Sequence, residues 1–316
     1  MPVTNYVKEI TAEQAEKLRF LLEQDGWELD DAPYALYRAR KNKTTCVAYE
    51  SGKLVIQGKG TEELVQFTLE PQVLEEARLG YEAFYAMEEQ PEMFQPHAGI
   101  DESGKGDFFG PLVIAACYVN EESARALFEA GVQDSKNIKS DKKILGFDEQ
   151  IRAAVGGKFA VVRIGNAAYN RMYSKMHNVN RILAWGHARA LENLLDKQPD
   201  CPRALSDQFG RKSSVLKALM DRGKRIKLEQ RPRAEADIAV AAASILARAE
   251  FVRQLQAMAE RLEIEDLVIP RGASKKVVEI AVDLVRQKGP SVLPELVKLH
   301  FKTTAAVRAQ AGIAGD

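Results

Sequence analysis

Two adjacent carboxylates, Asp101 and Glu102, stand between a short apolar lead-in and a glycine-broken loop, Gly104-Lys105-Gly106. Gly110-Pro111 then opens an apolar run, Leu112 to Val119. A third acid, Asp207, closes the short stretch Ala204–Asp207. Clustered carboxylates without His or Cys make a hard oxygen site suited to Mg²⁺ or Mn²⁺. Such acids are unfavourable without a cation, because like charges a few ångströms apart raise each other's pKa. Two such ions ~3.5–4 Å apart are a device for phosphodiester hydrolysis: one activates water, the other steadies the leaving oxygen. The loop glycines let backbone N–H groups approach a phosphate or a ribose. Taken alone, the Asp-Glu pair also fits a solvated turn. Asp134-Ser135-Lys136 alone also fits a helix cap followed by solvated charge.

The acids need elements to aim them. Successive residues of a regular strand point to opposite faces, so Asp101 and Glu102 share a site only from a strand end. Gly104 and Gly106 predict that strand Ala98–Glu102 stops there. If the strand of Asp207 is its neighbour, the carboxylates converge. Strands at Leu112–Val119 and Phe159–Ile164 follow the first, with a helix at Glu121–Ala130 between them. Beyond them the pattern predicts helix Asn180–Leu195, the Asp207 strand, an alanine-rich helix Ala236–Leu262 and a helix Ser274–Lys288. An antiparallel meander joined to a helix-crossover strand gives an α/β fold, a mixed sheet with flanking helices.

Ahead of this lies a smaller α+β pattern. Thr11 and Gln14 form a capping box before a stripe of Ala15, Leu18, Leu21 and Leu22. Strands are predicted at Tyr34–Lys41, Thr44–Tyr49 and Lys53–Gln57, and a second helix from Thr61. Residues 1–87 therefore read as an N-terminal domain, 88–97 as a linker and 98–316 as the larger domain. The linker carries Glu88-Glu89, Pro91 and Pro96; a surface loop within one domain is the alternative.

The 45 basic and 45 acidic residues cancel overall but not locally. Residues 1–97 carry 10 Lys+Arg against 18 Asp+Glu, net −8, so 98–316 carry 35 against 27, net +8. Within the acidic part, Arg38, Arg40, Lys41 and Lys43 gather into a candidate cationic face. No apolar run approaches the ~20 residues of a membrane helix. The N-terminus lacks the pattern of a signal peptide. Cys46, Cys117 and Cys201 read as free thiols in a reducing compartment, with the cytoplasm as the expectation.

Taken together, GIDESGKGDFFGPLVIAA resembles the opening motif of type 2 ribonucleases H, and its Asp-Phe-Phe-Gly-Pro version resembles the ribonuclease HIII branch. Asp134-Ser135-Lys136, Asp207-Gln208-Phe209, Ala239–Arg248 and Lys298–Phe301 match further motifs of that family in order. The resemblance covers about 98–304. The N-terminal pattern is similar to the domain, folded like the TATA-box binding protein, that precedes the catalytic domain in that branch. The resemblance implies an RNase H-like five-stranded sheet and cleavage of the RNA strand of RNA–DNA hybrids. It also implies Mg²⁺ or Mn²⁺ with no organic cofactor, 5′-phosphate and 3′-hydroxyl ends, and a monomer. It makes Asp101, Glu102 and Asp207 metal-binding acids. It places Gly104, Lys105 and Gly106 on the backbone and 2′-hydroxyl, and Ser135 and Lys136 on a phosphate. A cutter of single ribonucleotides in DNA and a catalytically silent hybrid binder are the competing readings.

The fourth acid of the resemblance falls in Arg233-Ala234-Glu235, making Glu235 the candidate and Asp237 its rival, unless Asp237 caps the following helix. His177 and His187 read as surface or packing residues. His300 has no assigned role. Tyr169 and Asn170 are candidates to approach the substrate. The run Arg211–Arg233, nine Lys/Arg against two acids, reads as substrate contact or as a solvated face.

Overall fold

Thr11 accepts from the amide of Gln14 and the Gln14 side chain returns to the Thr11 amide, so the predicted capping box starts the first helix. The computed structural model describes residues 3–207, 217–219 and 221–313. The chain divides into two units, Met1–Glu89 and Gln90–Asp316.

The first unit runs β1 (Asn5–Glu9), α1 (Ala12–Gln24), β2 (Glu28–Asp30), β3 (Ala35–Lys41), β4 (Thr44–Tyr49) and β5 (Lys53–Gly58). Helix α2 (Thr61–Leu64) continues as a π-helix over Val65–Leu74, and α3 (Glu82–Glu89) closes the unit. The strands form an antiparallel sheet in the order β1-β5-β4-β3-β2. Alternation sends Tyr37, Ala39, Cys46, Ala48, Leu54 and Ile56 into a core with Leu18, Leu22 and Leu69. Arg38 and Arg40 lie on the opposite face. β1 and β2 are edge strands that the sequence pattern did not predict; one reads NYVKE and the other has three residues.

The second unit contains β6 (His97–Ser103), β7 (Leu112–Val119), α4 (Glu121–Glu129), α5 (Asp141–Ala154), β8 (Phe159–Ile164), α6 (Asn166–Met176) and α7 (Val179–Leu195). β9 (Arg203–Asp207), β10 (Lys227–Arg231) and α8 (Ile238–Leu262) follow, then α9 (Lys275–Lys288), α10 (Leu293–Leu296) and α11 (Lys302–Gln310). The mixed sheet has the order β10-β9-β6-β7-β8. β6, β7 and β8 are the expected antiparallel meander. β9 runs parallel to β6, and β10 parallel to β9.

Two helices cover the sheet. Ile100, Ile114 and Ala116 pack with Ile182, Leu183 and Leu191 of α7. The opposite face meets the alanine-rich start of α8 at Gly99. A Cβ there would stand 2.1 Å from Ala239 C and Val240 N, so only glycine lets that helix backbone lie on the strand.

The segment predicted as a linker differs in detail. Glu88 and Glu89 end α3, Pro91–Met93 form a 3-10 turn, and His97 opens β6. His97 is buried because its Nε2 meets Asp237, 2.9 Å from Oδ1. Elements α5, α6 and β10 also lay outside the sequence expectations.

Candidate active site

The strand carrying the acid pair runs one residue past the predicted end, to Ser103. Asp101 and Glu102 accordingly point to opposite faces of β6. What opens the site is the neighbouring strand. Among the described residues the β6–β9 ladder is Ala98↔Ala204, Gly99↔Leu205 and Ile100↔Ser206, so Asp101 and Asp207 come next in register on neighbouring strands. Both acids and Glu102 line one cavity of about 610 Å³.

Asp101 lies on the α8 side, 8% exposed, with Oδ1 accepting from the Glu102 amide at 2.8 Å. Burial, then the charge of Glu102, push its carboxyl up to about 7. Glu102 lies on the α7 side, where buried His187 donates from Nε2 to Oε2 at 3.0 Å. Burial alone would raise this carboxyl too. The hydrogen bond and charge of His187 and the charge of Lys105, 3.6 Å from Oε1, hold it below its ordinary value instead.

The loop after the acids is fixed from two sides. Gly104 has φ +89°, and a Cβ there would meet Pro111 O at 2.3 Å and the Phe251 ring at 3.0 Å. Behind the loop, buried Lys298 donates from Nζ to the carbonyls of Asp107 at 2.8 Å and Gly110 at 2.6 Å. Burial draws its pKa down to about 7. Asp107 Oδ1 also accepts from the Gly272 amide at 2.7 Å.

Across the cavity, Asp134 caps the short turn Ser135–Asn137, accepting from the Lys136 amide. Ser244 of α8 holds this turn, its Oγ 2.6 Å from Ser135 Oγ and 3.1 Å from Asp134 Oδ1. Arg248 donates to the Ser135 carbonyl. Lys136 lines the cavity: although burial disfavours its charge, Asp134, Asp101, Glu235 and Asp207 together raise its pKa. Arg248 and Arg271 also line the cavity, and both reach Asp141.

The rivals for the fourth position separate. Asp237 caps α8, accepting from Ala239 N at 2.9 Å and Val240 N at 3.2 Å, and bonds His97. Glu235 lies on the 3-10 turn Ala234–Ala236 and acts on Lys136. Glu235 is not among the residues lining the cavity. Among the described residues, no three acidic, His or Cys side chains stand close enough to enclose an ion. Like charges keep carboxylates apart, and Glu102 is turned towards His187. The donor set is nonetheless all carboxylate oxygen at adjacent strand ends, which fits a hard divalent cation.

Other predicted residues fall elsewhere. Arg38 pairs with Asp30 at 2.6 Å, Arg40 reaches the same carboxylate at 3.5 Å, and Lys41 pairs with Asp25 at 2.9 Å. Lys43 sits in the β3–β4 turn at φ 62°. Tyr169 is fully buried. Asn170 ties α6 to the carbonyls of Pro294 and Val297, so both residues have packing roles here. Gln208, Phe209 and Arg211 lie outside the described residues. In the rest of the basic run, Lys227–Arg231 forms β10, with Arg231 paired to Glu229 and Glu92.

Sequence reasoning missed His187, Arg248, Arg271 and Lys298. His187 had a signal: Leu183, His187, Ala190 and Leu194 repeat at helical spacing, so the imidazole shares a buried stripe and needs a polar partner. Arg248 and Lys298 lay inside recognised motifs with no role attached, and Arg271 lies between the two predicted helices Ala236–Leu262 and Ser274–Lys288, outside every motif.

A mixed sheet carrying acids at the ends of adjacent parallel strands, flanked by a glycine loop and basic side chains, defines a metal-assisted phosphodiester hydrolase of RNase H-like fold. The family described as Ribonuclease HII matches residues 98–304, and a domain of unknown function (DUF3378) matches residues 5–77. A ribonuclease HIII of Chlamydia pneumoniae is 41% identical over 300 residues, 94% of this chain and 96% of that protein. One from Protochlamydia amoebophila is 38% identical over 97% of this chain and 98% of its own. Among solved structures, Bst-RNase HIII in complex with Mn²⁺ superposes with a TM-score of 0.64 at 28% identity, covering 98% of this chain and 99% of that one. Aquifex aeolicus RNase H3 gives 0.52 at 26% identity, over 94% and 100%. The chain belongs to the ribonuclease HIII family of metal-dependent endoribonucleases.

Proposed function

We propose that the cavity at Asp101 hydrolyses the RNA strand of RNA–DNA hybrids by a two-metal-ion mechanism, leaving 5′-phosphate and 3′-hydroxyl ends. The observation that carries this reading is the position of Asp101 and Asp207, next after the last paired residues of β6 and β9, in one cavity with Glu102. Asp101, Glu102, Asp207 and Glu235 would hold Mg²⁺ or Mn²⁺. The metal supplies a water nucleophile at neutral pH and charge stabilisation at the phosphate. His187 orients Glu102 through Oε2 and leaves Oε1 towards the cavity and Lys105. Gly104, Lys105 and Gly106 bring backbone and charge to the sugar-phosphate, where a 2′-hydroxyl distinguishes RNA. Ser135 and Lys136, held by Ser244, meet a phosphate.

In the first unit, Arg38, Arg40, Lys41 and Lys43 add phosphate contacts. The three cysteines are free and buried, which suits a reducing cytoplasm. Among the described residues no helix is long and apolar enough to cross a membrane. The chain acts as a monomer.

The test is cleavage of four duplexes in Mg²⁺ and in Mn²⁺: hybrid, RNA–RNA, DNA–DNA, and DNA with one embedded ribonucleotide. The hybrid is cut and RNA–RNA is spared. Cleavage of the single-ribonucleotide duplex alone would replace this reading with junction cutting. Absence of turnover with either metal would leave a silent binder.

A further inference from the structure

A second concave site lies in the same unit. Arg163 of β8, Arg171 of α6 and Arg261 in the last turn of α8 wall a cavity of about 330 Å³ that includes Met258 and Pro111. Glu295 is the one carboxylate in that wall among the described residues. Arg163 reaches Glu250 outside it, at 3.8 Å. Among the described residues, neither Arg171 nor Arg261 pairs with a carboxylate. Three guanidinium groups around one hollow repel one another unless an anion joins them. Their planar forks match the oxygens of a phosphate.

The place of the hollow narrows the anion. Successive turns of α8 serve the two cavities: Arg248 and Phe251 line the first, and Gln254, Met258 and Arg261 the second. From Arg248 to Arg261 the helix advances about 20 Å. A duplex carries a phosphate on each strand every ~3.4 Å of its axis, so one engaged at the acids and lying along α8 would carry several phosphates to the arginines. We propose that Arg163, Arg171 and Arg261 seat a backbone phosphate of the bound duplex, several nucleotides from the cut. This rests on the hybrid-cutting reading of the first cavity and adds to it a grip remote from the chemistry.

The test uses the full chain and a labelled RNA–DNA hybrid. Binding is followed by fluorescence anisotropy in EDTA, and cleavage in Mg²⁺ is run beside it. Arg171→Ala combined with Arg261→Ala changes exposed side chains, and a thermal melt checks the fold. Kd is expected to rise about tenfold, the scale of a lost charge-assisted contact. The slope of log Kd against log salt is expected to fall by about one for the phosphate released. A single neutral methylphosphonate is then moved along each strand. It should weaken the wild type at one linkage several nucleotides from the cut and leave the variant insensitive there. Unchanged affinity and slope in the variant overturn the proposal. So does an equal loss wherever the neutral linkage sits, which marks a diffuse field and not a seat. A wild type that binds hybrid but cuts none in either metal overturns the hydrolase reading instead, while the binding comparison still decides the subsite.

Discussion

In the first unit, three cations of β3 are paired within the chain. Arg38 and Arg40 share Asp30, and Lys41 holds Asp25, all at the surface. In the second unit, Asp101 is buried beside Glu102, accepts from the Glu102 amide, and feels the opposing charge of Lys136. Exposed ion pairs contribute little and exchange readily for a phosphate. Buried like charges are costly until a cation arrives. The contrast separates a surface of exchangeable ion pairs from a cavity whose carboxylates suit a divalent cation.

The largest effect is expected at that cavity. Asp101→Asn should lower hybrid cleavage on the order of a thousandfold, several kcal/mol of transition-state stabilisation, while hybrid affinity in EDTA holds. Steady-state cleavage beside anisotropy checks both halves. Glu235→Gln should nearly abolish turnover with an unchanged melt. Asp237→Asn should instead cost about 1 kcal/mol of stability through the weakened cap of α8. If Asp237→Asn removes turnover and Glu235→Gln does not, the fourth acid is misassigned.

His187 sharpens the comparison next. His187→Leu should weaken Mn²⁺ binding about 10–100-fold, with His187→Gln recovering part of it through a donor to Glu102. Calorimetric Mn²⁺ titration without substrate reads this, and equal affinities would remove the orienting role. Lys298 gives a subtler effect. The unfolded chain keeps this proton up to its ordinary value of 10.5, but the fold releases it above about 7. Between those values the unfolded state binds more protons, so stability rises with pH, and the penalty is fully present below the window. Lys298→Met should flatten that rise in denaturant midpoints. The smallest effect belongs to the first unit: Asp30→Asn frees Arg38 and Arg40 and should tighten hybrid binding by about 1 kcal/mol or less. A weakened affinity would mean that Asp30 shapes the face instead of competing for it.

Much of this was legible because strong periodicity and caps carry local information. β7, β8 and the Thr11 box emerged from pattern alone, since each is set by residues adjacent in sequence. β10 escaped because Lys227–Arg231 is a polar edge strand whose partner, β9, supplies the reason to extend. The glycines suggested a strand end at Glu102; what brings Asp207 beside Asp101 is the parallel register of β9 on β6, a tertiary fact. Asp101 and Glu102 advertised themselves as a pair, whereas His187 sits 85 residues away from Glu102, joined to it by packing. Lys298 is similar: its use depends on carbonyls of a distant loop.

Everything proposed for the cavity rests on its acids binding a divalent cation. Mn²⁺ titration of the wild type and of Asp101→Asn, followed by electron paramagnetic resonance in the absence of nucleic acid, tests it most directly. Saturable Mn²⁺ uptake by the wild type, lost or much weakened in the variant, is the predicted result. Equal uptake by both proteins would contradict it.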